Sequence, residues 1–152
     1  MNTIQQNDIK TFAERFELSD ELKGAHFLIT GATGLIGSTL VHCLHALKKG
    51  ITITCPVRNI RKAKKLYGEG LRGVEFIECD LLNYLNHLSN SIDYIVHCAS
   101  PTSGKYMAEN PVETFELAIE TTGALLRFAK RSGIKSMVYV SSLEYYGQNF
   151  DD

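Results

Sequence analysis

The segment with the clearest chemical capacity is Thr30-Gly31-Ala32-Thr33-Gly34-Leu35-Ile36-Gly37. Its three glycines recur at every third position, directly after a short apolar run and directly before a helix-like stretch. Gly31 allows a tight turn. Gly34 lets backbone approach an anion with no Cβ in the way, and Gly37 lets the helix pack close to the sheet. A helix starting at Leu35 and Ile36 offers unpaired N–H groups and a partial positive charge beside Thr33 and Gly34. That combination suits the diphosphate of a dinucleotide. A P-loop is excluded, because no Gly-Lys-Ser/Thr follows.

About twenty residues further on, a dinucleotide fold usually presents Asp or Glu to the adenosine ribose 2′-OH. Here the stretch reads Cys55-Pro56-Val57-Arg58-Asn59, without a carboxylate. The Arg58 guanidinium suits a 2′-phosphate by bidentate hydrogen bonding and by stacking on adenine, which favours NADP while NAD stays compatible. The same residue, with Arg61, Lys62, Lys64 and Lys65, also reads as an ordinary solvated basic face. The cluster is short and has little aromatic interleaving, so it does not read as a nucleic-acid patch. His42-Cys43-x-His45 puts two imidazoles on adjacent helix turns, but no third or fourth ligand is in view and no metal site is expected. The four cysteines, Cys43, Cys55, Cys79 and Cys98, form no C-x-x-C pair and read as small buried hydrophobes with free thiols.

The elements that must position these residues alternate. Residues 5–18 place Ile9, Phe12 and Phe16 on a helical stripe. Apolar or β-branched runs at 25–30, 51–57, 74–79, 92–98 and 135–141 read as strands, with Pro56 required at the end of its strand. Helices are expected at 35–48, 60–67 and 111–131, with a turn or short helix at 81–88. Strands separated by crossover helices imply an α/β fold: a Rossmann-like doubly wound parallel sheet of about five strands, incomplete on its C-terminal side. Ligands of such sheets bind at the strand carboxyl ends, where the strand order reverses. The expected organisation is a helical lead-in over 1–24 and a nucleotide-binding domain over 25–152. The 152 residues are 44% hydrophobic, with 16 Lys+Arg against 17 Asp+Glu, so nothing drives the chain globally toward nucleic acid or anionic membrane. No apolar run approaches the ~18 residues that would span a bilayer. The first twenty residues hold no signal-peptide apolar segment, so the expected compartment is the cytoplasm.

From Ala25 onward the chain resembles the short-chain dehydrogenase/reductase superfamily. The T-G-x-x-G-x-x-G spacing points to its extended branch of NAD(P)-dependent nucleotide-sugar epimerases and dehydratases. Three further segments carry the resemblance. Asp80-Leu81 matches a pair that in the family contacts adenine, although Asp80 is equally favoured as a helix N-cap. His97-Cys98-Ala99-Ser100 matches the family's H-x-A-[AS] segment, which implies that Ala99 and Ser100 lie against the cofactor. His97 itself reads as a satisfied structural histidine. With Pro101, Thr102, Tyr106, Asn110, Pro111 and Thr114, this stretch is similar to UDP-glucuronate decarboxylases and related dehydratases. Finally, Ser141-Ser142-Leu143-Glu144-Tyr145-Tyr146-Gly147 resembles the family's SS-x-x-VYG segment. That match assigns Ser142 the catalytic hydroxyl, hydrogen-bonded to the reacting sugar oxygen.

The resemblance implies an enzyme that abstracts a hydride from a sugar carbon and usually returns it, with a nucleotide sugar as partner and neither nucleic acid nor membrane. The family's acid/base is the Tyr of Tyr-x-x-x-Lys. The chain has seven tyrosines, and none has Lys four positions later. The expectation is therefore a chain cut before that motif and before the substrate-binding part, inactive alone, with a sheet edge open to homodimer formation. Glu120 departs from the family, where relatives often carry Asn before Gly123. Two rival readings share the fold: an NADPH-dependent carbonyl reductase, and a non-catalytic NADP(H)-sensing module.

Overall fold

The computed structural model describes residues 3–68, 70–89, 91–101 and 103–141. Helix α1 (Thr3–Arg15) leads through a 3-10 turn at Glu17–Ser19 to strand β1 (His26–Thr30). Then follow α2 (Leu35–Ala46), β2 (Thr52–Val57), α3 (Ile60–Tyr67), β3 (Val74–Glu78) and α4 (Leu81–His87). The last elements are β4 (Tyr94–His97), α5 (Gly104–Glu109), α6 (Pro111–Ser132) and β5 (Ser136–Tyr139). The five strands form one sheet in the order β3-β2-β1-β4-β5, with every neighbouring pair parallel. This is the Rossmann-like α/β arrangement expected from the alternation of elements.

Alternation along β1 explains the two layers. Phe27 and Ile29 point to one face and join Val41, Leu44, Ile53, Cys55 and Tyr67, with Phe12 of α1 and Phe16 just after it packed against them. Leu28 points to the other face and joins Leu85, Ile95, Leu125 and Phe128 from α4, β4 and α6. Both faces of β1 are covered, so its sequence is a continuous apolar run rather than an alternating one.

Helix boundaries follow local chemistry. Asn59 caps α3 by accepting from the Lys62 N–H, Asp80 caps α4 by accepting from Asn83, and Ser103 caps α5 by accepting from Tyr106. Pro111 opens α6, and Gly133, at φ +61°, closes it in the left-handed region. Pro56 sits at the next-to-last position of β2, in the stretch paired to β3 but beyond the pairing with β1. No ladder bond to the central strand is lost there. Helix α5 has no counterpart in the sequence reading. Strands β4 and β5 are shorter at both ends than the apolar runs that contain them.

Candidate functional site

The β1–β4 register ends on Thr30 opposite His97, which brings the two chain exits side by side at the point where strand order reverses. Thr30 Oγ1 accepts from the Ala99 N–H at 3.1 Å and lies 2.6 Å from His97 Nδ1. Burial lowers the His97 pKa, so the ring is neutral near pH 7. The buried ring and the Thr30 hydroxyl thus partner each other through Nδ1.

Immediately after Thr30 the chain turns through Gly31 at φ +70°. A Cβ there would lie 2.7 Å from the Ala99 nitrogen and from the Cys98 carbonyl. Gly31 is therefore needed twice: for its dihedral, and for the close approach of the loop to the strand beside it. Gly37 is buried, and a Cβ on it would run into the Gly31 backbone, so the α2 helix packs on its own loop. Gly34 is different. It has an ordinary extended φ, and a Cβ would meet only the Gly31 oxygen at 3.3 Å. That single contact is tight for a Cβ, so the Gly31 turn would have to give slightly to take one; the missing side chain also leaves open the approach from solvent.

That approach is a cavity of about 280 Å³ at the carboxyl ends of β1 to β4. Gly31, Thr33 and Gly34 line it from the glycine loop, Arg58 from the end of β2, Asp80 and Leu81 from the start of α4, and Ala99 and Ser100 from the exit of β4. Eight of the sequence-derived cofactor residues thus meet in one space. Leu35, Ile36 and Gly37 do not line it. The Leu35 and Ile36 side chains are exposed and border a separate apolar notch with Phe12 and Cys43. Ser142 lies outside the described residues, as do Thr102 and Glu144.

Several lining residues were not among the cofactor contacts expected from the sequence. Lys62 and Asn59 reach the cavity from the first turn of α3, and Leu117, Ala118 and Thr121 come from one face of α6. The i, i+1, i+4 spacing of the last three identifies a helix face, but not which wall that face builds. Arg58 and Lys62 line the cavity beside β2 and the start of α3, with Asp80 as a carboxylate in the same lining. Glu78 is turned to the protein and accepts from the Ile60 N–H at 2.9 Å, so the start of α3 is capped from within. Cys79 and Cys98 also line the space, and burial raises both thiols above their ordinary range, which removes them as thiolate nucleophiles at neutral pH. Among the described residues no group of three or more His, Cys, Asp or Glu could hold a metal ion, and no helix is long and apolar enough to cross a membrane.

A parallel sheet in this order, with a glycine turn and an open cavity at its switch point, defines the class of α/β proteins that take a nucleotide at the strand carboxyl ends. Within that class, the chain belongs to the NAD dependent epimerase/dehydratase family, whose profile matches residues 27–152. It is 29% identical over 135 residues to dTDP-4-dehydro-6-deoxy-D-allose reductase of a Streptomyces species, covering 84% of this chain and 41% of that protein. It is 28% identical over 141 residues to UDP-glucuronic acid decarboxylase 2 of Arabidopsis thaliana, covering 93% of this chain and 31% of that protein. Among solved structures it superposes on UDP-N-acetylglucosamine 4-epimerase from Methanobrevibacter ruminantium with a TM-score of 0.71 at 23% identity, over 84% of this chain and 41% of that one. The chain thus spans about two-fifths or less of the length of these proteins.

Proposed function

We propose that the chain is the dinucleotide-binding part of an enzyme acting on a nucleotide sugar, an epimerase or dehydratase. The observation that carries this reading is the shared cavity. The glycine turn, a basic corner at Arg58 and Lys62, and the small residues Ala99 and Ser100 all open onto it. In this reading Thr33 and Gly34 receive the diphosphate, Leu35, Ile36 and Gly37 contribute through backbone at the start of α2, and Asp80 with Leu81 holds the adenine. Ala99 and Ser100 lie along the nicotinamide half. A bound nicotinamide dinucleotide supplies hydride acceptance and return at a sugar carbon. Ser142 is the hydroxyl proposed to bind the reacting oxygen.

Although the family is NAD-dependent, we propose that this chain prefers NADP(H). The end of β2 offers Arg58 rather than a carboxylate, and a guanidinium matches a 2′-phosphate. These 152 residues contain no Tyr-x-x-x-Lys, so we expect no turnover by them alone. A non-catalytic NADP(H)-sensing role draws on the same fact, and a carbonyl reductase role draws on Arg58. The test is calorimetric titration with NADPH and NADH. Tighter binding of NADPH, with that preference lost in Arg58→Ala, is expected. Tighter binding of NADH overturns the NADP assignment, and binding of neither overturns the dinucleotide reading.

A further inference from the structure

Helix α3 touches the cavity at its first turn but ends elsewhere, and its last residue makes an unassigned contact. Tyr67 is 7% exposed. Its ring packs between His42 of α2 and Phe76 of β3, with ring centroids 5.0 and 4.6 Å away. Its hydroxyl donates to the Ala32 carbonyl at 2.6 Å, across 35 positions of sequence. Ala32 is fully buried and lies where the chain has left the β1 ladder, so its carbonyl has no strand to pair with.

That bond fixes more than a carbonyl. The peptide linking Ala32 to Thr33 is planar and trans, so the Thr33 N–H points opposite to the Ala32 C=O. Tyr67 draws the oxygen toward the interior of the protein. The Thr33 N–H is thereby turned away from the Tyr67 hydroxyl; Thr33 itself lines the cavity, and its N–H has no acceptor among the described residues. A free backbone N–H held at a glycine turn is an anion-binding group, and its value depends on being held in place before the anion arrives.

We propose that Tyr67 is a positioning residue for the diphosphate: through its bond to Ala32 it holds the Thr33 amide in the anion-receiving orientation. Gly68, at φ +66°, ends α3 immediately after Tyr67, so the length of the helix is set to deliver the hydroxyl there. The same short helix thus carries the basic corner at one end and the loop fastener at the other. This inference rests on the dinucleotide reading above.

The test is Tyr67→Phe in the full chain, which keeps the ring and its stacking and deletes only the donor. Two probes are titrated: NADPH, which carries the diphosphate, and adenosine 2′-monophosphate, which carries the ribose phosphate and adenine but no diphosphate. Circular dichroism monitors the fold of the variant. The expected result is an NADPH affinity weakened about ten-fold, with adenosine 2′-monophosphate within about two-fold of wild type. NADPH affinity unchanged in a folded variant overturns the positioning role alone, and equal weakening of both probes assigns Tyr67 a purely structural role and overturns it too. If the wild-type chain binds neither probe and does not bind NADH either, the dinucleotide reading falls and takes this inference with it.

Discussion

The centre of the sheet and its β5 edge are built from similar residues and end up very differently. Around β1, β4 and the glycine turn, almost every group is used. Leu28, Ile29, Thr30 and Ala32 are fully buried, His97 is 2% exposed, and the Thr30 hydroxyl serves both the Ala99 amide and the His97 ring. On the outer face of α6 and along β5, apolar side chains stand in solvent: Val112, Phe115, Ile119, Val138 and Tyr139 are each more than half exposed. One helix shows both conditions, since Phe128 on the inner face of α6 is 1% exposed and Phe115 is 67% exposed. The difference teaches that burial among the described residues is concentrated on the half of the sheet that forms the cavity. The β5 edge is tied to that half through its parallel ladder with β4, the Val140 N–H on the His97 carbonyl and the Tyr139 ring beside His97, while several of its own side chains stay in solvent.

The comparison is open to attack at its strongest point first. Gly31→Ala forces a left-handed residue to carry a Cβ against the Cys98–Ala99 backbone. A loss of about 3–5 kcal/mol in folding free energy, read by denaturant titration, is expected. A loss below about 1 kcal/mol would show that the turn relaxes and is not the fixed point described. Next come the two phenylalanines of α6. Phe128→Ala should cost about 3 kcal/mol or more, and Phe115→Ala no more than about 0.5 kcal/mol. Comparable losses would mean that the outer face is covered in solution.

A subtler separation uses pH. Burial lowers the folded-state pKa of His97 below its ordinary value, so the unfolded chain binds the proton more readily. The stability contributed by the neutral ring is present above the ordinary histidine pKa of about 6.5 and is lost as the pH falls toward the lowered folded value. His42 shifts in the same sense, mainly through its own desolvation. Denaturant midpoints should therefore fall from pH 7 to pH 5, and His97→Asn should shrink that fall without removing it. An unchanged fall would locate the proton-linked stability outside the centre of the sheet.

Legibility in the sequence tracks how local each cause is. The glycine turn was readable because dihedral, close approach and helix start all fall within eight adjacent residues, Thr30 to Gly37. The place of Pro56 was readable because a missing N–H is a property of one residue. Helix α5 was not. Its six residues begin with Gly104, carry no apolar stripe long enough to count, and depend on the Ser103 cap. The α6 wall of the cavity was also illegible, since the identity of Leu117, Ala118 and Thr121 does not say which way the helix turns on the sheet. The least legible feature is the Tyr67–Ala32 bond, because only the folded packing of α3 against α2 and β3 brings the two together.

The measurement that bears most directly on the cavity as a dinucleotide site is amide NMR of the labelled chain titrated with NADPH, alongside the same titration of Gly34→Val. A side chain at 34 keeps an ordinary backbone φ and presses on the Gly31 oxygen alone, whereas an entering diphosphate would collide with it. Saturable shifts at Thr33, Gly34, Arg58, Asp80, Leu81, Ala99 and Ser100 in the wild type, and none in a folded Gly34→Val, are the predicted result. Shifts gathered instead on α6 and β5, or surviving the valine, would contradict the assignment.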